Sequence, residues 1–340
     1  MTRYILIGAG AIGGSLGGRL TQAGEKVVLV ARGEHLEVLR RRGLRLRSVD
    51  GDETVQVRAI GGPEEIELVD EDVLVLATKT QQATEALAQW ADAPVRSGAA
   101  VIGTAGERLP MLTALNGVAG EQLALRYFAR VYGVCVWMPT VHLQPGEVLI
   151  AGTPIAGMLH IGRVPAALTD EADRRLLAQV QETWPRAGVA VRLPADVMSW
   201  KYRKLISNLA NAFEALTGPS ADLSRLVAAA NGEARQVLDA AGIAYTSDAE
   251  EQAAREQSFS KSSVPGTPTD LGGSTWQSLS RGTGNVESDY LNGEISLIAH
   301  RLGQSAPINA GVAALARRAA ARGQRPGSIS VDELSRLLGL

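Results

Sequence analysis

The sequence predicts an α/β fold, a doubly wound sheet followed by an all-helical domain, and three observations carry that prediction. Short apolar runs alternate with helical patterns over residues 4–102. A glycine turn, Gly8-Ala9-Gly10-Ala11-Ile12-Gly13, stands between the first run and the first helical pattern. After Pro194 the chain reads as helix almost throughout. Strand alternating with helix implies parallel strands with crossover helices on both faces, the Rossmann-type arrangement.

Taken in order, residues 4–7 (Tyr-Ile-Leu-Ile) form a continuous apolar run, as a strand buried on both faces requires. A helical pattern follows through Leu16, Leu20 and Ala23 and closes at Gly24. Residues 26–31 supply a second buried strand, completing a unit of about thirty residues, the length expected of a dinucleotide-binding motif. Residues 44–48 and 54–60 read as strands joined through Asp50-Gly51 in a hairpin-like excursion. Helices are expected at 33–42 and 80–91, and strands at 73–77 and 99–102, the last taken as the fifth strand of the sheet. From residue 124 the texture turns strand-like as far as Met158 to Ile161, then gives a helix at 170–187 and a strand at 188–192. Helices follow at 195–217, 221–242, 248–257, 285–303, 308–323 and 330–338. The expected division is therefore 1–193 and 194–340, with 258–273, rich in Pro, Gly, Ser and Thr, as a mobile connection over a cleft.

Composition narrows the function. At about 100–200 residues per domain, 340 residues suit two domains. Lys and Arg total 34 against 36 Asp and Glu, so no broad basic field is present to hold nucleic acid or an anionic membrane. The lone Cys135 excludes an internal disulfide framework, and His35, His142, His160 and His300 lack metal-ligand spacing. No run approaches the roughly 18 apolar residues of a membrane span. The opening Met1 to Gly8 imitates a signal peptide, but six glycines within residues 8–18 spoil a membrane-inserting helix. A cytoplasmic protein is expected, with the single cysteine in keeping.

In the glycine turn, Gly8 makes the bend, Gly10 lets backbone approach a pyrophosphate, and Gly13 permits close helix-to-strand contact; the amides of Ala11 and Ile12 open the helix toward the phosphates. The second strand ends Ala31-Arg32-Gly33 with no carboxylate, and Arg32 suits a 2′-phosphate, so NADPH is favoured over NADH. Lys79 follows the fourth strand at the carboxyl edge, where ligands of open α/β sheets bind. In the helical half, Lys204, Asn208 and Asn211 are spaced i, i+4, i+7, placing an ammonium and two amides on one helix face. A hydride-accepting carbonyl needs such a set: a cation to protonate the oxygen and neutral amides to orient the substrate. A second polar cluster runs from Ser274 to Arg281 and on through Glu287 and Asp289.

Together these segments resemble the ketopantoate reductases, NADPH-dependent 2-dehydropantoate 2-reductases of pantothenate biosynthesis, over nearly the whole chain. The matching pieces are the glycine turn, Arg32, Lys79, Arg203-Lys204-Leu205 with its asparagines, and Glu287-Ser288-Asp289-Tyr290-Leu291-Asn292-Gly293. The resemblance implies that Lys204 protonates the substrate oxygen and that Glu287 positions the lysine and touches the substrate hydroxyl. It implies that Asn208 and Asn211 orient the substrate, that Ser274 or Thr275 meets its carboxylate, and that the active site lies in the interdomain cleft. Thr104, in Ile102-Gly103-Thr104-Ala105-Gly106, is taken to stand where the family carries Asn-Gly after the fifth strand. The three-residue spacing of Asn208 and Asn211, against four in the family, calls for a local helix shift. The expected activity is reduction of a 2-keto acid, ketopantoate foremost. The rivals are a relative acting on another carbonyl or imine, and a non-catalytic NADP sensor. Alanine-rich helices such as 308–323 leave a homodimer open.

Overall fold

The computed structural model describes residues 2–268 and 271–340; Met1, and residues 269 and 270 within the connection 258–273, lie outside the described residues. The chain forms two compact units: one of Met1–Asn116, Gly120–Trp200 and Asp248–Thr267, the other of Gly117–Ala119, Lys201–Ser247 and Pro268–Leu340.

The first unit is built on an eight-stranded sheet of β1 (Arg3–Ile7), β2 (Lys26–Val30), β3 (Arg58–Ile60), β4 (Asp72–Leu76), β5 (Pro110–Thr113), β6 (Arg130–Trp137), β7 (Gly157–Val164) and β8 (Val189–Arg192). Their spatial order is β8-β7-β6-β5-β4-β1-β2-β3. Every neighbouring pair is parallel except β6 with β7. From β1 the chain moves outward through β2 and β3, then returns to β4 on the other side of β1, so the strand order reverses beside β1.

Because side chains alternate across a strand, the continuous apolar runs fill both faces. Tyr4, Leu6, Leu29, Val73 and Val75 face one layer, with Leu16 and Leu20 of α1 (Ala11–Gln22) and Leu39 of α2 (Gly33–Arg42). Ile5, Ile7, Val28, Leu74 and Leu76 face the other, with Ala83, Leu87 and Trp90 of α3 (Thr80–Ala91). Leu177 and Val180 of α4 (Glu171–Thr183) join the first layer, where the Trp184 ring stands edge-on to Tyr4 at 5.5 Å between centroids.

Two excursions differ from expectation. The hairpin Leu44–Ser48 and Asp52–Val55 forms, but the single strand expected at 54–60 is two pieces, because β3 leaves the hairpin to join the main sheet. Glu147–Ile150 and Thr140–Val141 extend that hairpin into a separate four-stranded sheet. The second difference bears on function. Ala100–Thr104 is not the fifth strand: it pairs antiparallel with Pro94–Ser97 in a small sheet that includes Leu68–Val69. The place beside β4 belongs to β5, whose Met111 and Leu112 are buried while Val101 is 55% exposed.

After β8 come α5 (Val197–Asn208), which passes from the first unit into the second, α6 (Ala210–Thr217) and α7 (Ser224–Ala240). The single helix expected over 195–217 is broken at Leu209, whose carbonyl accepts a hydrogen bond from Asn292 Nδ2 at 3.2 Å. Next, α8 (Asp248–Glu256) belongs to the first unit, unlike its expected place in the helical half. Ala254 and Phe259 pack on Cys135, Trp137 and Met158, and the Arg255 guanidinium lies over the Trp137 ring at 5.0 Å. The segment expected as a mobile connection is fastened in part: Ser260–Lys261 pairs with Gly152–Thr153, and the Pro265 carbonyl accepts from Arg47 at 2.8 Å. The second unit closes with α9 (Ser274–Ser280), α10 (Asn292–Arg301), α11 (Pro307–Ala321) and α12 (Val331–Leu338) around Phe213, Leu216, Leu226, Val312 and Leu334. Among the described residues, no helix is long and apolar enough to cross a membrane.

Candidate active site

The carboxyl ends of β2, β1, β4 and β5 carry, in that spatial order, Arg32, the glycine turn, Lys79 and a residue pair the sequence analysis passed over, Asn116-Gly117. The amides of Gly8 and Ala9 both donate to the Val30 carbonyl, at 3.1 and 3.0 Å, which ties the turn to the end of β2. Gly8 has φ +104°, and a Cβ there would meet the Ala77 and Thr78 backbone at 2.9 Å, so the position admits only glycine. A methyl at Gly13 would overlap the Gly8 carbonyl oxygen. Gly10 is different: nothing lies within 4 Å of where its Cβ would stand, although it is the N-cap of α1. The helix start has no side-chain cap and no acidic residue in its first turn. Open space beside uncapped amides at a positive dipole end is what a pyrophosphate requires, so these residues fit a dinucleotide.

Arg32, the N-cap of α2, is exposed, and its guanidinium reaches Glu85 and Gln89 of α3, both at 3.3 Å. The ion pair is open to solvent, 61% and 72% exposed, so exchanging Glu85 for a phosphate costs little. On the same turn of α2, His35 Nε2 donates to the Ala9 carbonyl inside the glycine turn at 2.8 Å, and Nδ1 accepts from the Gly146 amide at 2.9 Å. Burial pushes His35 below the ordinary histidine pKa, while the Ala9 bond opposes the shift.

Thr104 stands away from this edge. It caps the short helix Ala105–Arg108, accepting from the Glu107 amide while the Glu107 carboxylate accepts from its own amide. The ground for giving it the family's Asn-Gly role is removed, because the strand it follows is not in the main sheet. Residues 110–117, Pro-Met-Leu-Thr-Ala-Leu-Asn-Gly, supply both the fifth strand and the Asn-Gly. The signal was present as a short apolar run ending in a turn dipeptide. Gly117 has φ +73° and sits against the Tyr290 carbonyl, where a Cβ would come within 2.7 Å.

The second unit gathers the other side chains. Lys204 and Asn208 lie one turn apart on α5, both half-buried, and the break at Leu209 separates them from Asn211 on α6. Asn292 anchors that break; its Nδ2 also donates to Asn309 Oδ1 at 3.0 Å, and Asn309 Nδ2 in turn to Glu233 at 2.9 Å. Asn211 Nδ2 donates to Ser274 Oγ at 3.5 Å. Gly273, just before Ser274, is held through its amide by Glu214 at 2.7 Å. Thr275 is 1% exposed and its hydroxyl has no hydrogen-bond partner among the described residues, whereas the Ser274 hydroxyl meets the Asn211 amide. Glu287, in a 3-10 turn at Glu287–Tyr290, is 3% exposed. Burial pushes Arg281 below the usual guanidinium range, and the charge of Glu287 opposes that shift.

Comparison with known proteins finds two family models along the chain: ketopantoate reductase PanE/ApbA over residues 4–166 and its C-terminal counterpart over 196–320. A 2-dehydropantoate 2-reductase of Pyrococcus horikoshii is 30% identical over 212 residues, 62% of this chain and 62% of that protein. The chain thus spans under two thirds of the length of this relative. Another, of Mesorhizobium japonicum, is 32% identical over 228 residues, 64% of this chain and 67% of that protein. Among solved structures, a PanE/ApbA family ketopantoate reductase from Ralstonia eutropha JMP134 superposes with a TM-score of 0.74 at 26% identity, covering 95% of this chain and 99% of that one.

Proposed function

The chain belongs to the ketopantoate reductase family, and from that premise we propose that it reduces a 2-keto acid to the 2-hydroxy acid with NADPH, ketopantoate to pantoate being the foremost reaction. One observation carries the reading: Arg32, the glycine turn, Lys79 and Asn116 stand in that order along four neighbouring strand ends. The glycine turn after β1 would hold the pyrophosphate of a dinucleotide, and Arg32 at the end of β2 would hold its 2′-phosphate. Lys79 and Asn116, at the ends of β4 and β5, would hold its nicotinamide half.

Bound there, NADPH would supply a hydride for the keto carbon. Lys204 donates the proton that the carbonyl oxygen takes up as its negative charge develops. Glu287 supplies the carboxylate that orients the ammonium and accepts from the substrate hydroxyl. Asn208 and Asn211 hold the substrate through amides, and Ser274 meets its carboxylate. Asn116, in place of Thr104, offers the remaining amide. The three-residue spacing of Asn208 and Asn211 favours one second reading, a different 2-keto acid, because the helix break sets the direction of Asn211.

The test is NADPH oxidation with ketopantoate and a panel of other 2-keto acids, in the native protein and in Asn116→Ala. Turnover with ketopantoate that falls at least about tenfold in Asn116→Ala supports both substrate and site. NADPH binding with turnover only on another member of the panel overturns ketopantoate as substrate. NADPH binding with no turnover on any member returns the sensor reading. Replacing Arg32 by Ala should raise the Kd for NADPH about ten- to a hundredfold, the worth of a charge-assisted contact, and leave NADH unchanged. Equal weakening of both in a binding titration removes the 2′-phosphate role.

A further inference from the structure

We propose that His35 is a positioning residue for the dinucleotide: it clamps the glycine turn in its phosphate-receiving form by bridging the Ala9 carbonyl to the Gly146 amide. The inference rests on the dinucleotide reading above.

The glycine turn has little of its own to hold its shape. Glycine carries no side chain to pack and loses more backbone entropy than any other residue when it is fixed. Below, the turn is tied by the amides of Gly8 and Ala9 to Val30. On its other side the Ala9 carbonyl accepts from His35 Nε2 at 2.8 Å. A carbonyl can only accept, so Nε2 carries the proton; the Gly146 amide can only donate, so Nδ1 is bare. One neutral tautomer satisfies both partners. Gly146 has φ +78°, a Cβ there would collide with the Val38 side chain of α2, and its carbonyl accepts from the Arg45 amide at 2.8 Å, so the clamp closes onto backbone that is itself tied to the neighbouring sheet.

His35 and Arg32 share the first turn of α2 but act on different parts of the ligand. Arg32 addresses a phosphate that only NADPH has. His35 addresses the turn that receives the pyrophosphate common to NADPH and NADH.

The tautomer requirement makes the clamp sensitive to acid. A second proton on Nδ1 would point at the Gly146 amide and break that bond. Burial already lowers the His35 pKa below 6.5, so the neutral ring is retained above 6.5 and lost as pH falls through the lowered value. The groups around it are few. The glycine turn has no titratable side chain. From the neighbouring sheet, the His142 ring faces His35 at 4.6 Å, and the Glu147 carboxylate is engaged by Arg45 and Arg47 at 3.0 and 3.7 Å. On α2 itself the nearest charged residues in sequence are Arg32, Glu34 and Glu37.

The experiment is a direct binding titration of NADPH and NADH to the native protein, His35→Ala and His35→Gln. Glutamine keeps a donor and an acceptor about as far apart as the two ring nitrogens, without the titration. The expected result is a Kd about tenfold higher in His35→Ala for both dinucleotides alike, with His35→Gln near the native value at pH 7.5. With NADH, which has no 2′-phosphate to titrate, the native Kd should rise as pH is taken below 6.5 and through the lowered His35 value. That of His35→Gln should stay flat, and His142→Asn should keep the native dependence. Native binding with an unchanged Kd in His35→Ala overturns the clamp alone, as does a pH dependence that persists in His35→Gln. Absence of any dinucleotide binding by the native protein overturns the cofactor reading, and the clamp with it.

Discussion

Replacing Lys204 by Ala should lower turnover of the keto acid by about two to four orders of magnitude, the range that a positioned general acid contributes. NADPH affinity should stay within about twofold, because Arg32, the glycine turn and Lys79 belong to the first unit and Lys204 to the second. The physical reason is the charge that develops on the substrate oxygen as hydride arrives: without a donor the alkoxide must wait for water. Arginine should not rescue, since a guanidinium holds its protons far too tightly to give one up at neutral pH and its planar fork does not fit a point donor's place. Turnover is followed by loss of NADPH absorbance and affinity by titration on the same preparations. Turnover within about threefold of native would remove Lys204 from the mechanism, and joint loss of both would point to misfolding instead.

How much of this was legible in the sequence depends on the range of the interactions that decide each feature. β1, β2 and β4 were readable because each is a continuous apolar run, and their residues do fill both faces of the sheet. The glycine turn was readable because its spacing is a local property of the backbone. β5 was missed because a four-residue strand that starts with proline gives little periodicity, while Ala100–Thr104, a genuine strand, stood nearby in a different sheet. That single slip put Thr104, rather than Asn116, at the end of the fifth strand. The break at Leu209 was anticipated only as a need for some local shift. Its cause, Asn292, lies 83 residues further along, beyond any pattern read from a helix alone. The return of α8 to the first unit has the same character, since it packs on Trp137 and Met158, ninety or more residues before it. His35 was set aside for want of metal spacing, and its partner Gly146 is 111 residues away.

Gly10 and Gly13 should separate what the ligand requires from what the fold requires. In Gly13→Ala the added methyl meets the carbonyl oxygen of Gly8, which is backbone and cannot rotate aside, and lies 3.0 Å from the Ala77 Cβ. Overpacking of that kind costs about 3 kcal/mol, so the variant should melt several degrees below native and lose NADPH binding with its turn. Gly10→Ala has no such penalty: its φ of −73° and ψ of −153° are open to alanine, and nothing stands within 4 Å of the new methyl. Its melting temperature should match native. If that open space is where the pyrophosphate passes, the methyl occupies it, and NADPH affinity should fall at least about tenfold with stability intact. Thermal melts and NADPH titrations on the two variants decide the matter together. A Gly10→Ala protein that binds NADPH as the native does would mean that the turn is shaped by the fold alone, and the phosphates would have to be sought elsewhere along the sheet edge.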